Sequence, residues 1–278
     1  MSSRSRSRST RRQSSDEVLP LQPVPVPEPP VCPDGWHTGP PDFVGVGAQR
    51  SGTTWWYRLI TAHPEVCFKR GLHRKEIHFF DELGDREELS REDVERYHRH
   101  FPRPDGQLVG EWTPRYMHDP WAPKQVAQAA PEARVLMLLR DPVDRFASGF
   151  ARGRRLAAEQ GVTGLDAKIA EVQVERGMYL AQVLRVLEAF DRTRVLVLQY
   201  ERCRERTEAE LRRTFEFLAL DPDLASPDEI PAREPREREL PAAERERLAM
   251  LYAPDVRRLA ELLPELDVSL WRSVSGLA

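Results

Sequence analysis

An apolar run that leads directly into a loop bounded by glycines constrains the fold of this chain more than any other feature. Residues 43–46 (F-V-G-V) read as a short buried strand, and residues 47–54 (G-A-Q-R-S-G-T-T) follow at once. The loop fits the phosphate-binding consensus G-x-x-x-x-G-K-[ST] except that Thr53 replaces the lysine and the cation, Arg50, lies inside the loop. Such a loop can hold an anion on backbone N–H groups at a helix N-terminus, but it is poorly built to transfer a γ-phosphate.

Composition limits the classes of protein that need to be considered. The 278 residues suffice for one α/β domain, and a net charge of −3 provides no general attraction for nucleic acid. The 3 cysteines form no C-x-x-C pair, which favours a reducing cytoplasm over a disulfide framework. No apolar run approaches the roughly 18–20 residues of a membrane span. We therefore expect a cytoplasmic protein with no nucleic-acid partner and no transmembrane segment.

Residues 1–41 differ in composition from the rest of the chain. Ser-Arg alternation gives way to a proline-rich stretch, and neither part can bury enough apolar surface to offset the entropy of ordering. The sequence predicts a disordered tail over 1–41, either simply solvated or acting as an arm for an anionic partner. A single globular domain is predicted over residues 42–278.

Strand and helix patterns alternate from residue 42 onward. A parallel sheet covered by helices on both faces is therefore predicted, which is the α/β class. Residues 75–81 are expected to form a loop or a short extended piece. The predicted strands are 43–46, 66–68, 107–112, 134–139 and 194–198, and the predicted helices are 53–62, 91–100, 121–130, 143–159, 165–190, 208–218 and 242–263.

A second strand-to-helix turn carries another cation. Arg140 ends the strongest buried strand, Asp141-Pro142 has the composition of a helix start, and Ser148 lies about two turns into that helix. Ligands of open α/β sheets bind at the carboxyl ends of the strands, so Arg140 and Ser148 could hold one phosphate from two directions. The alternative is that Arg140 pairs with Asp141 or Asp144 and that Ser148 is an ordinary helix residue.

The two turns together predict a ligand with two separated phosphate groups. Both would lie at the same edge of the sheet, each with its own cation. A nucleotide with a 5′-phosphate ester and a 3′-phosphate fits this arrangement better than ATP, which has a single polyphosphate chain.

These motifs resemble those of the sulfotransferase family, which uses 3′-phosphoadenosine 5′-phosphosulfate (PAPS) as sulfuryl donor. Residues 47–55 (G-A-Q-R-S-G-T-T-W) are similar to its 5′-phosphosulfate loop, and Arg140-Asp141-Pro142 with Ser148 is similar to its 3′-phosphate motif. The resemblance extends from about residue 43 to about residue 271 and implies a single P-loop-like α/β domain. It implies the following donor-binding residues: Arg50, which is usual in bacterial members, with Ser51, Gly52, Thr53, Thr54, Trp55, Arg140, Ser148 and Tyr200.

Some of these positions have alternative interpretations. Trp55 matches a tryptophan that stacks on adenine but could equally be buried in its helix, with Trp56 as the more natural core residue. Tyr200 matches a tyrosine near the adenine, although core packing explains it almost as well. Arg233 and Arg236 are candidates for the basic loop that closes over the donor in many members.

Residues 75–81 (K-E-I-H-F-F-D) carry the groups that an acceptor hydroxyl would need. If the segment is extended, Glu76 and His78 point to the same side, and the apolar residues between them anchor it. Desolvation would raise the pKa of Glu76 toward that of a useful base. The segment resembles an element of the heparan-sulfate sulfotransferases, which implies that Glu76 is the base and that His78 assists it or binds the acceptor. No metal is required.

The same branch of the family is matched by residues 110–116 and 176–179, with one difference. Trp112 stands where the heparan-sulfate enzymes have a lysine, so the resemblance does not extend to the binding of a polyanionic saccharide. Trp112 either faces a sugar ring or an apolar acceptor, or it packs in the core.

Three functions remain to be compared. The resemblance implies a PAPS-dependent O-sulfotransferase that acts on a small-molecule, glycan or glycolipid hydroxyl, with Glu76, Arg50 and His78 as catalytic residues. A P-loop kinase or NTPase would need a lysine at position 53 and an aspartate at the position of Arg140. A nucleotide-binding protein without catalysis would not need Glu76. A homodimer is compatible with the sequence.

Overall fold

A sheet of four parallel strands forms the centre of the molecule. The structure is a computed structural model and describes residues 25–224 and 240–277. The strand order is β2-β1-β3-β4, with every neighbouring pair parallel. This arrangement confirms the predicted α/β class, and the second strand is shorter than expected. The strands are β1 (Phe43–Gly47), β2 (Gly110–Trp112), β3 (Arg134–Leu139) and β4 (Val195–Gln199).

Helices cover both faces of the sheet, as the continuous apolar runs of the strands predict. Successive residues of β3 enter different cores: Val135 and Met137 pack into one, and Leu136 and Leu138 into the other. The described helices are α1 (Thr53–Thr61), α2 (Arg91–His98), α3 (Ala122–Ala129), α4 (Pro142–Glu159), α5 (Asp166–Glu175), α6 (Tyr179–Ala189), α7 (Tyr200–Glu205), α8 (Thr207–Leu218) and α9 (Ala242–Leu262).

The two cores belong to different sets of helices. Helices α1 and α8 pack on one face, where Trp56 is fully buried and its indole Nε1 donates to Thr214 Oγ1 at 3.2 Å. Helices α3, α6 and α9 pack on the other face, through residues such as Val126, Val183 and Tyr252. The prediction that Trp56 belongs to the core is confirmed.

Two predicted elements differ from the structure. The helical pattern over 165–190 is divided into α5 and α6 at residues 176–178, where a Cβ on Gly177 would lie 2.7 Å from the ring of Tyr252. Close contact with α9 therefore accompanies the break in the helix. The predicted strand 66–68 reduces to a single bridge between Val66 and Leu108.

The described part of the predicted tail lies beside the domain. His37 forms an antiparallel bridge with Arg103, and Val26 and Trp36 pack against the larger core. Residues 1–24 lie outside the described residues. The boundary between tail and domain at residues 41 and 42 stays a prediction.

Trp112 lies in the core, which confirms the second of its two interpretations and excludes a ring that faces a sugar or an apolar acceptor. Its side chain is 0% exposed, and its indole Nε1 donates to the carbonyl oxygen of Gly47 at 3.1 Å. The ring occupies the space that a side chain on Gly45 of β1 would need, since a Cβ there would lie 2.0 Å from Trp112. The pairing of Gly45 with Trp112 across β1 and β2 brings them together.

We expect Gly45→Ala to displace the Trp112 ring and lower the free energy of unfolding by about 1–3 kcal/mol, because overpacking distorts a filled core. Urea denaturation followed by tryptophan fluorescence measures this. Gly39→Ala is the matched control, because its added Cβ would find its nearest neighbour at 3.7 Å. Equal stability of the two variants would contradict the packing described for Trp112.

Candidate active site

The loops that follow β1 and β3 meet because these two strands are neighbours and parallel. Arg140 Nη1 donates to the carbonyl oxygen of Arg50 at 3.3 Å. Arg50 in turn donates from Nη2 to Oγ of Ser148 in α4, the helix that follows Arg140, at 3.1 Å. Three of the predicted donor-binding residues, from two separate motifs, therefore form one continuous group.

The carboxylates that could have paired with Arg140 have other partners. Asp141 caps α4, where its Oδ1 accepts hydrogen bonds from the backbone N–H groups of Val143 at 2.9 Å and Asp144 at 3.3 Å. Asp144 forms an ion pair with Arg245 at 2.9 Å. These contacts argue against the interpretation of Arg140 as the ion-pair partner of its neighbours.

The start of α1 is enclosed by aromatic rings. Gly52 precedes the helix in a left-handed conformation with φ 89°, and a Cβ there would lie 2.7 Å from the ring of Tyr200. The guanidinium carbon of Arg140 lies 4.8 Å from the centre of that ring, and Trp55 meets its edge at 6.4 Å between ring centres. Trp55 and Tyr200 both lie beside the loop that follows β1, and their contact with an adenine stays a prediction.

Unused hydrogen-bond donors collect at this place. Arg140 Nε and Trp55 Nε1 are buried without a hydrogen-bond partner among the described residues. Buried donors of this kind are normally paired, so the loop fits a ligand rich in acceptor oxygens. Ser51 is buried in the loop and Thr53 is buried at the start of α1, whereas Thr54 is exposed in the first turn of that helix.

The segment 75–81 carries a chain of alternating charges. Glu76 lies between Lys75, at 2.6 Å from Nζ to Oε1, and His78, at 3.3 Å from Nε2 to Oε2. His78 Nδ1 lies 2.8 Å from Asp81 Oδ2, and Arg115 Nη1 lies 3.6 Å from the same oxygen. Glu76 and His78 thus converge as predicted, although the segment is not a strand and His78 has φ 59°.

These contacts reverse the expected ionisation of Glu76. Burial has the largest effect and raises the pKa, but the hydrogen bonds and charges of His78 and Lys75 outweigh it and lower the pKa to about 2. The prediction that desolvation raises the pKa of Glu76 overall is therefore wrong. For His78, burial lowers the pKa, but Asp81 and Glu76 outweigh it and raise the pKa to about 9. At neutral pH, Glu76 is an anion and His78 a cation.

Lys75 is a residue that sequence reasoning missed, since it was assigned no function of its own within residues 75–81. Its ammonium Nζ lies 3.3 Å from Thr53 Oγ1 in the loop after β1, as well as 2.6 Å from Glu76. Lys75 therefore brings a cation to the loop whose own lysine position is occupied by Thr53. Its side chain is 15% exposed, and burial lowers its pKa. The absence of a lysine at position 53 was visible in the sequence, but only the fold shows that Lys75 lies beside Thr53.

A buried carboxylate in the middle of β2 holds the segment 75–81 in place. Glu111 is 0% exposed and accepts hydrogen bonds from Thr113 Oγ1 at 2.5 Å, from Tyr97 Oη at 2.8 Å and from Tyr116 Oη at 3.2 Å. Burial raises the pKa of Glu111, while these donors act in the opposite direction. Glu111 also accepts from the backbone N–H of Ile77 at 3.2 Å, which joins it to the segment 75–81.

Side chains replace the usual backbone partners of this segment. Thr113 Oγ1 accepts from the backbone N–H groups of Ile77 at 3.0 Å and His78 at 3.3 Å, and Tyr116 Oη accepts from that of Phe79 at 2.9 Å. The chain can therefore leave regular secondary structure without losing hydrogen bonds. Phe79 is fully buried, as predicted for an anchoring residue.

Comparison with known proteins agrees with this arrangement. The sulfotransferase domain model matches residues 40–232, more than half of the 278-residue chain, and the chain therefore belongs to the sulfotransferase domain family. Heparan sulfate glucosamine 3-O-sulfotransferase 6 of Mus musculus is 28% identical over 191 residues, covering 65% of this chain and 52% of the relative. The chain thus spans about half the length of the curated relatives it matches.

Solved structures show the same fold. A sulfotransferase from Alicyclobacillus acidocaldarius is 26% identical with a TM-score of 0.66, covering 84% of this chain and 98% of the other. Sulfotransferase STF9 from Mycobacterium avium, 14% identical with a TM-score of 0.53, covers 82% of this chain and 77% of the other.

Arg233 and Arg236, proposed above for a closing loop, lie outside the described residues.

The raised pKa of His78 leads to a pH prediction. Its charged form is favoured in the folded protein up to a pKa of about 9, so the linkage between Glu76 and Asp81 is intact below that pH and weakens above it. We expect kcat/KM to be level between about pH 6 and 8 and to fall as pH passes about 9. Initial rates across pH, with His78→Gln as the comparison, measure this. A rise with an apparent pKa near 7 would contradict a protonated His78.

Proposed function

We propose that this protein is an O-sulfotransferase that moves a sulfuryl group from PAPS to a hydroxyl of a glycan or small-molecule acceptor. The observation that carries the proposal is the position of Lys75, whose ammonium touches both Thr53 of the donor loop and the carboxylate Glu76. The proposed base thereby lies next to the place where the sulfuryl group would be held. Family membership supports the same class of reaction.

The donor would be held by residues of two neighbouring turns. Arg50 and the N-terminus of α1 serve the 5′-phosphosulfate, while Arg140 and Ser148 serve the 3′-phosphate. Since Arg50 donates to Ser148 Oγ and its own carbonyl oxygen accepts from Arg140, the two turns are fixed relative to one another before the donor binds. Preorganised donors of this kind stabilise charge without reorganisation during the reaction.

The chemical step needs a base and a cation. The acceptor oxygen forms a bond to sulfur as the bond from sulfur to the bridging phosphate oxygen breaks, and the acceptor proton passes to Glu76. The leaving group is 3′-phosphoadenosine 5′-phosphate (PAP). Lys75 is then shared between Glu76 and the oxygens of the sulfuryl group. The ammonium of Lys75 would then stabilise the Glu76 carboxylate less than it does without the donor. The pKa of Glu76 would therefore rise from its low value in the free protein.

The alternatives are separated by what they require. A P-loop kinase or NTPase would depend on magnesium and on a lysine at position 53. Turnover in the presence of EDTA would therefore exclude that function. A binding protein without catalysis would not be affected by a change at Glu76. Family membership does not favour either alternative.

The location of the protein is part of the proposal. Cys32, Cys67 and Cys203 are free thiols, which supports a reducing cytoplasm. Among residues 25–224 and 240–277, no helix is both long enough and apolar enough to cross a membrane.

We expect Glu76→Gln to lower kcat by about 10²–10⁴-fold, because the amide cannot take the acceptor proton. Transfer of radiolabelled sulfate from PAPS to a panel of hydroxylated acceptors, or to extracts of the producing cell, measures kcat. Calorimetry should show unchanged affinity for PAP. Glu88→Gln, at an exposed position, is the matched control. Full turnover by Glu76→Gln would remove this residue from the mechanism.

Arg140→Ala should weaken donor binding by roughly 10–100-fold, the range expected for loss of charge-assisted hydrogen bonds to a phosphate. The effect should appear in the KM for PAPS and in the Kd for PAP, with a smaller effect on kcat. Arg86→Ala, an exposed arginine remote from the loop in sequence, serves as control. If the donor KM of Arg140→Ala equals that of the unmodified enzyme, the assignment of the 3′-phosphate site fails.

A further inference from the structure

The peptide unit between Arg140 and Asp141 is held at both of its polar ends by side chains. The carbonyl oxygen of Arg140 accepts a hydrogen bond from Tyr179 Oη at 3.0 Å. The backbone N–H of Asp141 donates to Glu201 Oε1, also at 3.0 Å. A peptide unit is planar, so these two bonds together oppose its rotation about the dihedrals on either side. The backbone that carries Arg140 is therefore fixed by two residues outside its own turn.

Tyr179 and Glu201 both contact the same tryptophan. Trp271 is 0% exposed, its indole Nε1 donates to Glu201 Oε2 at 2.9 Å, and its ring centre lies 5.9 Å from that of Tyr179. Burial has the largest effect on Glu201 and raises its pKa to about 7, while the hydrogen bonds from Asp141 and Trp271 act in the opposite direction. Trp271 thus supports both side chains that hold the peptide unit.

Residues 271–274, which we call the Trp271 turn, have a further contact with the start of α4. The backbone N–H of Ser273 donates to Asp141 Oδ2 at 2.9 Å, whereas Oδ1 of the same carboxylate caps the helix. Arg245 of α9 donates to Ser273 Oγ at 2.9 Å and so joins the Trp271 turn to that helix. The Trp271 turn lies beyond residues 40–232, which the family model matches. Its contacts, rather than family membership, therefore indicate what it does.

The side chain of Arg140 depends on the backbone beneath it. Its guanidinium carbon lies 4.8 Å from the ring centre of Tyr200, and its Nη1 donates to the carbonyl oxygen of Arg50 at 3.3 Å. Its Nε has no hydrogen-bond partner among the described residues. The groups of a binding site must be held within about 0.5 Å of the productive geometry by the residues around them. A rotation of the Arg140–Asp141 peptide unit would move the guanidinium by more than that.

We propose that Glu201 and Trp271 position Arg140 for the 3′-phosphate of the donor. This inference rests on the proposed function and goes beyond it, because both residues act through the Arg140–Asp141 peptide unit. Glu201 and Trp271 are therefore positioning residues. Their effect should fall on donor affinity, because the proposed base lies on a different segment, at Glu76.

The first test measures the binding of PAP by isothermal titration calorimetry at pH 8, where Glu201 is ionised. Trp271→Phe keeps a buried ring but removes the indole N–H. We expect it to raise the Kd for PAP by roughly 3–10-fold, through loss of one charge-assisted hydrogen bond. With any acceptor that the transfer assay identifies, the KM for PAPS should rise likewise and kcat should change by less than about twofold.

A matched control uses the same substitution elsewhere. Trp36 is a partly buried tryptophan that packs against the larger core, and Trp36→Phe removes an indole N–H from it. This variant should bind PAP with the affinity of the unmodified protein.

The Arg140→Ala background separates positioning from folding. No guanidinium remains to be positioned there, so adding Trp271→Phe should change the Kd for PAP by less than about twofold, since coupled residues are not additive. A general loosening of the fold would instead weaken binding by the same factor in both backgrounds.

Glu201→Gln provides a second variant with a rescue. Its NH2 group must face either the backbone N–H of Asp141 or the indole N–H of Trp271, and both are donors. We expect the Kd for PAP to rise by roughly 3–10-fold. Adding Trp271→Phe removes one opposing donor and should restore part of the affinity.

Each outcome decides the proposal. An unchanged Kd in Trp271→Phe and Glu201→Gln, an equal loss in the Arg140→Ala background, or the same loss in Trp36→Phe would overturn it. So would a double variant whose loss is the product of the two single losses. Should Trp271→Phe not fold, Glu201→Gln with and without Arg140→Ala gives the same decision. If PAP did not bind the unmodified protein, the proposed function would fail; if PAP bound equally to all single variants at 201 and 271, only this inference would fail.

Discussion

The parallel pairing of β1 with β3 is the constraint on which the rest of the site depends. Because the carboxyl ends of adjacent parallel strands lie side by side, the loop with Arg50 and the turn with Arg140 are brought into hydrogen-bond contact although 90 residues separate them in sequence. Helices on both faces then exclude water from the strands, so that the polar residues collect at one edge. The sheet thereby converts two short motifs into one binding surface.

The segment 75–81, which carries the proposed base, is organised by charge rather than by regular structure. Cation and anion alternate from Lys75 through Glu76, His78 and Asp81 to Arg115. A carboxylate in such a chain is a weak base until one of its cations is drawn elsewhere. The contact of Lys75 with Thr53 suggests how donor binding could provide that change, since the same ammonium would then have a second anion to serve.

Sequence patterns were sufficient for what depends on local order along the chain. Apolar runs and turn residues predict the strand at residues 134–139, the helix start at Asp141-Pro142 and the proximity of the turns with Arg50 and Arg140. They were insufficient where a neighbour distant in sequence decides the outcome. The position of Trp112 in its strand is compatible with either face of the sheet. Only its contact with Gly45, which has no side chain, shows that the ring packs into the core. The ionisation of Glu76 likewise depends on contacts whose balance no pattern reveals.

The buried carboxylate Glu111 has a consequence for how this protein could diversify. Three successive backbone N–H groups, from Ile77 to Phe79, end on side chains supplied by β2 and the turn after it. Residues 75–81 and that turn therefore form one unit, in which exchanging either half alone would leave buried polar groups without hydrogen-bond partners. Laboratory recombination between relatives should place its crossover points outside residues 75–116, so that both halves come from the same parent.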